Sequence, residues 1–253
     1  MAWNDMPLHW YDAYERGRPG YRVEAITAPG VPSSASVLDL GAGSGKLTRL
    51  LVSAFADVFA VEPDTEMRRR LVASSPGVSV LEGRAEQIPA ADASVDAVFA
   101  AQSFHTFDQR QAVAEIERVL RPRGAMVLLW NVSAGAAQPS IATVHELLDQ
   151  HWPPGWDPID LGLAYAWKDW PREWSEILDE SAFGALAEAR FPNPQIVDQE
   201  ALVAFFGSMG WIAELPSERR VPLLEEVKSR LAAPTYVLPW ETRVYWTRLD
   251  RST

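Results

Sequence analysis

Cysteine is absent from the chain, so it holds no disulfide framework, no thiolate nucleophile and no zinc–cysteine site. Basic charge is scarce: 23 lysines and arginines stand against 34 aspartates and glutamates, giving a formal net charge of -11 and a pI near 4.9. A field of that sign repels phosphate backbones and argues against nucleic acid as a partner. No apolar run approaches the roughly 18 residues of a transmembrane helix, and Asp5 stands where a signal peptide carries basic residues. The expectation is a cytoplasmic protein with no membrane partner. Histidine is also sparse. His9, His105, His145 and His151 show no close metal-ligand spacing, so no metal ligand is expected.

What is present is ordinary for a folded protein: 253 residues, 47% hydrophobic and 23% charged. That length suits one domain with an appended cap as well as two domains. Residues 36–131 alternate apolar strand-like runs with helical patterns, the mark of βαβ units around a parallel sheet. Strands are expected at 36–40, 58–61, 78–81, 95–100 and 125–130, with helices near 65–73 and 109–120. Leu47, Leu50, Leu51 and Phe55 recur at helical spacing after the first strand. Past Asn131 the character changes. Five of the 11 tryptophans, Trp152, Trp156, Trp167, Trp170 and Trp174, crowd into residues 150–174. Such a stretch reads as an insertion that either walls an acceptor or staples a helical cap to the sheet. The sheet pattern resumes near 183–191, with helices near 199–206 and 221–231 and a closing strand near 242–247.

The turn after the first strand reads Asp39-Leu40-Gly41-Ala42-Gly43-Ser44-Gly45-Lys46. A phosphate-binding P-loop needs glycine at position 40 and Ser or Thr at 47, and leucine holds both places. A G-x-G-x-x-G dinucleotide turn needs its third glycine at 46, where Lys46 stands. What remains is an acid followed by three alternating glycines, whose missing side chains let a zwitterionic ligand approach the backbone. Glu62 ends the second strand about twenty residues past the first glycine, where an acid can accept both hydroxyls of a ribose.

These residues, with more downstream, resemble the class I S-adenosylmethionine-dependent methyltransferases, and within them methyltransferase type 11. The likeness is to ubiquinone-biosynthesis-like and trans-aconitate-methyltransferase-like members. It is carried by Val37-Leu38-Asp39-Leu40-Gly41-Ala42-Gly43-Ser44-Gly45, Val61-Glu62-Pro63-Asp64 with Met67, and Glu82-Gly83-Arg84-Ala85-Glu86-Gln87-Ile88-Pro89. Ser94-Val95-Asp96-Ala97-Val98 and Glu117-Arg118-Val119-Leu120-Arg121-Pro122 follow in the same order.

The resemblance implies a Rossmann-like α/β fold with a seven-stranded, mostly parallel sheet, its last strand antiparallel, and helices on both faces. A single domain 1–253 would then comprise an N-terminal helical cap (1–35), the cofactor-binding core (36–131), an aromatic-rich insertion or lid (132–182) and the C-terminal part of the sheet (183–253). S-adenosylmethionine would be the methyl donor and S-adenosylhomocysteine the product. Gly41, Gly43 and Gly45 would frame the methionine part and Glu62 the ribose. Met67 would pack on the adenine edge, Ala85 would present its N–H, and Glu86 would accept from the exocyclic amine. Arg84 departs from an aspartate common in relatives, and Arg123 from a glycine. Tyr11, Tyr14 and Arg18 match a Tyr-x-x-x-Arg-Pro-like cap and fall on one helical face, with Arg18 as partner of the cofactor carboxylate. The expected cofactor set also includes Asp39, Ala42, Pro63 and Gln102.

The fourth strand is followed by Gln102-Ser103-Phe104-His105-Thr106, at the carboxyl edge where open α/β sheets bind ligands. His105, with an ordinary pKa near 6.5, is the candidate base for the methyl acceptor, or else orders the loop. Methyl transfer to a small molecule is the leading expectation, by a monomer or homodimer. Nicotinamide-dependent oxidoreduction and non-catalytic binding of S-adenosylmethionine are the rivals.

Overall fold

The computed structural model describes residues 6–133, 139–152 and 170–250. Strands β1 (Ser36–Leu40), β2 (Asp57–Val61), β3 (Ser79–Leu81), β4 (Val95–Ala101), β5 (Leu120–Ser133), β6 (Ala187–Pro192) and β9 (Trp240–Arg248) form one sheet in the order β3-β2-β1-β4-β5-β9-β6. The pairs from β3 to β5 are parallel, and β9 runs antiparallel to both β5 and β6. The seven-stranded, mostly parallel sheet expected from the sequence is therefore present.

Its strands are apolar on both faces because helices cover both. In β5 the side chains of Ala125, Val127 and Leu129 enter one core cluster, while Met126, Leu128, Trp130 and Val132 enter the other. One face is covered by α2 (Val23–Thr27) and α3 (Lys46–Ala54), and the other by α5 (Gln109–Val119) and α7 (Trp170–Asp179). Helix α5 buries Ala112, Val113, Ile116 and Val119, an i, i+1, i+4, i+7 stripe. Helix α4 (Thr65–Ser74) and α5 begin at Asp64 and Asp108, whose carboxylates accept the Met67 and Gln111 N–H groups.

The chain order reverses across β1, which lies between β2 and β4. Parting connections at such a point leave a crevice at the carboxyl ends of β1 and β4.

Not all of residues 183–253 continue the sheet. Between β6 and β9 the chain makes a hairpin of β7 (Gln195–Asp198) with β8 (Thr235–Leu238), and α8 (Gln199–Gly207), α9 (Gly210–Ala213) and α10 (Ser217–Arg230). These pack with α6 (Pro139–His151) around Phe205, Phe206, Trp211 and Tyr236 as a separate apolar cluster. The sequence showed α8 and α10 but not the hairpin, whose four-residue strands are too short to register a period. Helix α1 (Leu8–Gly17) crosses α8 so closely that a Cβ on Gly17 would lie 2.2 Å from the Phe205 nitrogen.

Candidate functional site

The crevice holds a cavity of about 260 Å³ between the β1 turn, the ends of β2 and β4, and α1. Left-handed backbone at Gly41 (φ 70°) and Gly43 (φ 57°) shapes the turn. The two glycines are needed for different reasons. A Cβ on Gly41 would sit 2.8 Å from the Ser103 Cβ, because the turn packs directly on the loop after β4. Ser103 reinforces that contact by donating its hydroxyl to the Leu40 carbonyl at 3.0 Å. At Gly43 a Cβ would meet none of the described residues within 4 Å, and the residue lines the cavity. Gly45, also expected beside the cofactor, is the N-cap of α3. Its Cβ position faces Leu71 at 3.1 Å and Ser74 at 3.3 Å, so it serves packing on α4.

Three carboxylates gather at the strand ends. Asp39 is 1% exposed, its Oδ2 accepts from Thr48 at 2.6 Å, and its Oδ1 has no hydrogen-bond partner among the described residues. Burial pushes its pKa up to about 7, against the opposing Thr48 hydrogen bond and with help from the Glu62 charge. Glu62 Oε2 accepts the Gly43 N–H at 2.8 Å and Oε1 the Asp64 N–H at 2.9 Å. Burial raises its pKa too, and the two N–H donors oppose the rise. Pro63 lines the cavity between Glu62 and Asp64. Asp64 caps α4 and accepts the Tyr11 hydroxyl at 2.8 Å. Tyr11, expected on the cofactor, does not line this cavity: its hydroxyl turns toward the α4 N-terminus.

Tyr14 and Arg18 do line the cavity from the cap. The Arg18 guanidinium donates to Ser208 Oγ at 2.8 Å and to its carbonyl at 3.1 Å, and lies over the Tyr14 and Phe205 rings. Glu15, which the sequence reading passed over, fastens α1 to the glycine turn. Its carboxylate accepts from Ser44 Oγ and from Arg49 at 2.9 Å, and its carbonyl accepts from Lys46 Nζ at 2.7 Å. Lys46 and Ser44 also line the cavity. Glu15 lies four residues after Tyr11, on the same helical face, so its spacing was a usable signal.

Met67, Arg84, Ala85 and Glu86 form the end near β3. Ala85 and Met67 are buried, whereas the Arg84 side chain is 72% exposed. Glu86 Oε1 accepts the Asp108 N–H at 2.8 Å, which ties this end to the start of α5.

The opposite wall follows β4. Gln102 holds a left-handed φ of 55°, unusual for a side-chain-bearing residue and often stored at sites of function. Its N–H donates to the Leu129 carbonyl at 2.9 Å and its side chain to the Asn131 carbonyl at 3.3 Å. His105, in a short 3₁₀ turn (Phe104–Thr106), lines the cavity with Thr106 and Phe107. Burial pushes its pKa down to about 4, well away from the 6.5 expected. Trp174 stacks on Trp130 at 4.5 Å inside the main core, and Trp152 packs on Trp211 in the second cluster. Both act as staples. Trp156, Trp167 and the Trp170 side chain lie outside the described residues.

No group of three or more histidine or acidic side chains suited to a metal occurs among the described residues, and none of their helices is long and apolar enough to cross a membrane.

Residues 38–128 match a family model described as a methyltransferase domain. An uncharacterized methyltransferase of Mycobacterium tuberculosis is 51% identical over 119 residues, 47% of this chain and 49% of that protein. The chain thus matches about half the length of that relative. An uncharacterized methyltransferase-like protein of Schizosaccharomyces pombe is 34% identical over 212 residues, 82% of this chain and 78% of that protein. A solved structure from Anaeromyxobacter dehalogenans, described as a candidate type II methyltransferase, shares the fold: TM-score 0.65 at 23% identity, covering 91% of this chain and 96% of that one.

Proposed function

The chain belongs to the class I S-adenosylmethionine-dependent methyltransferases, and we propose that its glycine-turn cavity binds S-adenosylmethionine and serves methyl transfer to a small-molecule acceptor. The carrying observation is the opening at Gly43. Among the described residues no neighbour lies within 4 Å of a Cβ position there, and the same cavity is lined by Asp39, whose buried Oδ1 has no partner among them, and by the Glu62 carboxylate. A buried, half-satisfied carboxylate calls for a donor or a cation, and a ligand with an ammonium and a ribose supplies both needs.

In this reading Gly41, Ala42 and Gly43 give the methionine end its backbone surface, and Asp39 faces its ammonium. Arg18, held by Ser208, and Lys46, held by the Glu15 carbonyl, set positive charge at the carboxylate. Each carboxylate oxygen of Glu62 keeps a second lone pair for a ribose hydroxyl. Met67, Pro63 and Ala85 supply the apolar end for adenine, with Glu86 and the exposed Arg84 at its rim. When bound, the donor supplies a sulfonium methyl group open to in-line displacement. The protein's part is alignment and exclusion of water. His105, with a pKa near 4, is neutral at physiological pH and stands at the β4 wall of the cavity. That suits orientation of an acceptor better than strong proton abstraction. Gln102 completes this wall.

Calorimetry with S-adenosylhomocysteine and NAD(H) tests the ligand, and transfer of a labelled methyl group into a metabolite extract tests the activity. Heat from S-adenosylhomocysteine and a labelled product are expected. Tight binding of NAD(H) with none of S-adenosylhomocysteine overturns the reading, and binding without labelled product reduces it to cofactor binding alone.

A further inference from the structure

We infer that Asn131, a buried residue of β5 that does not line the cavity, is a positioning residue that fixes the cap segment 18–21 against the site. Arg18, Pro19 and Tyr21 all line the cavity, yet Pro19, Gly20 and Tyr21 have no main-chain hydrogen-bond partner among the described residues. Beyond the bonds of Arg18 to Tyr14 and Ser208, the segment is held through one carbonyl. Gly20 C=O accepts from Asn131 Nδ2 at 2.9 Å and Asn193 Nδ2 at 2.9 Å, with Gln195 Nε2 at 3.5 Å. The Asn131 amide is oriented from behind, since its Oδ1 accepts from Thr242 Oγ1 at 2.6 Å and from Asn193 at 3.1 Å.

Asn131 is 2% exposed, Thr242 0% and Asn193 5%, so this is a buried polar network in which a lost donor is not replaced by water. The main-chain carbonyl of the same residue accepts the Gln102 side chain from the facing wall. One residue of β5 thereby references both walls of the cavity to the sheet. An apolar residue at this register would leave the Gly20 carbonyl short of a donor and the buried Thr242 hydroxyl without its acceptor, so the Asn131 amide both satisfies buried groups and sets the height of the cap segment above the glycine turn.

The affinity arm of the test rests on the cavity binding S-adenosylhomocysteine, and the exchange arm does not. Asn131→Asp keeps the shape and the acceptor for Thr242 but loses the donor to Gly20. It should weaken S-adenosylhomocysteine about tenfold by calorimetry and speed amide hydrogen exchange at Arg18, whose N–H donates to the Tyr14 carbonyl at the start of the segment, leaving β5 and β9 protected. Thr242→Val removes a bond from the same network on the side away from the cap. Its affinity should stay within about twofold of wild type even where its melting temperature falls as far. Should Asn131→Asp fold poorly, Asn193→Ala removes the second amide from the same carbonyl, and the same two readouts apply. Unchanged exchange at Arg18 in these variants overturns the inference, as does equal loss of affinity in Thr242→Val. A wild-type protein that gives no heat with S-adenosylhomocysteine refutes the ligand, while the exchange arm still decides the role of Asn131.

Discussion

Glu62 accepts the Gly43 N–H at 2.8 Å, so the carboxylate at the end of β2 holds the apex of the glycine turn that follows β1. Its other oxygen holds the Asp64 N–H at the start of α4. The sequence points to a ribose-binding role for Glu62; the structure adds a structural one. Glu62→Ala should therefore lower S-adenosylhomocysteine affinity about tenfold or more and also cost about 1–3 kcal/mol of stability, because the buried Asp64 N–H and the part-buried Gly43 N–H lose their acceptor. Calorimetry and chemical denaturation check the two effects separately. Full stability in the alanine variant would return Glu62 to a ligand role alone.

Gly41 and Gly43 should respond differently to alanine. Both incur the left-handed penalty of about 1–2 kcal/mol. Gly41→Ala adds a clash with Ser103 that overpacks the β1–β4 junction, typically about 1–3 kcal/mol more, whereas Gly43→Ala puts its methyl into the cavity. The first variant should lose mainly stability and the second mainly ligand affinity. Equal stability loss would show that Gly43 is as tightly packed as Gly41.

Asp39 carries a pH signature. Its folded pKa, about 7, lies above the ordinary 3.8, so between those values the folded state holds a proton that the unfolded state has released. Stability therefore falls as pH rises across this window, and the full penalty is present above pH 7. Asp39→Asn should gain melting temperature over wild type progressively from pH 4 to 7 and then level off, by about 2–4 °C for each kcal/mol relieved. The same variant should bind S-adenosylhomocysteine less tightly. A melting difference independent of pH would mean that Asp39 is ionised throughout.

For His105 the burial moves the expected acidic limb of activity from near pH 6.5 to near 4. With an acceptor identified from the labelled product, the rate should be flat from pH 5 to 8. His105→Ala should raise the acceptor KM if the residue orients, and lower kcat by roughly a hundredfold if it takes the proton in the transition state. A limb at pH 6.5 that vanishes in the alanine variant would establish an ordinary, solvated base.

Much of the fold and part of the site can be read from the chain directly, because the information is local. The apolar runs of β1 and β4, the aspartate caps of α4 and α5, and the alternating glycines that a left-handed turn demands are all set within a few residues. Cavity position followed too, since a strand, a glycine turn and a helix must open at the carboxyl edge of a parallel sheet. What only the tertiary structure decided depends on distant partners. Gly45 is adjacent to Gly43 in pattern yet faces α4, and Tyr11 points at Asp64, 53 positions away. Arg18 meets Ser208 and Asn131 meets Gly20, at separations of 190 and 111 residues. Burial, which sets the pKa of Asp39 and of His105, is a sum over every element packed around a group. No period or spacing encodes that sum, so titration and the placement of the cap emerged only once the whole chain was folded.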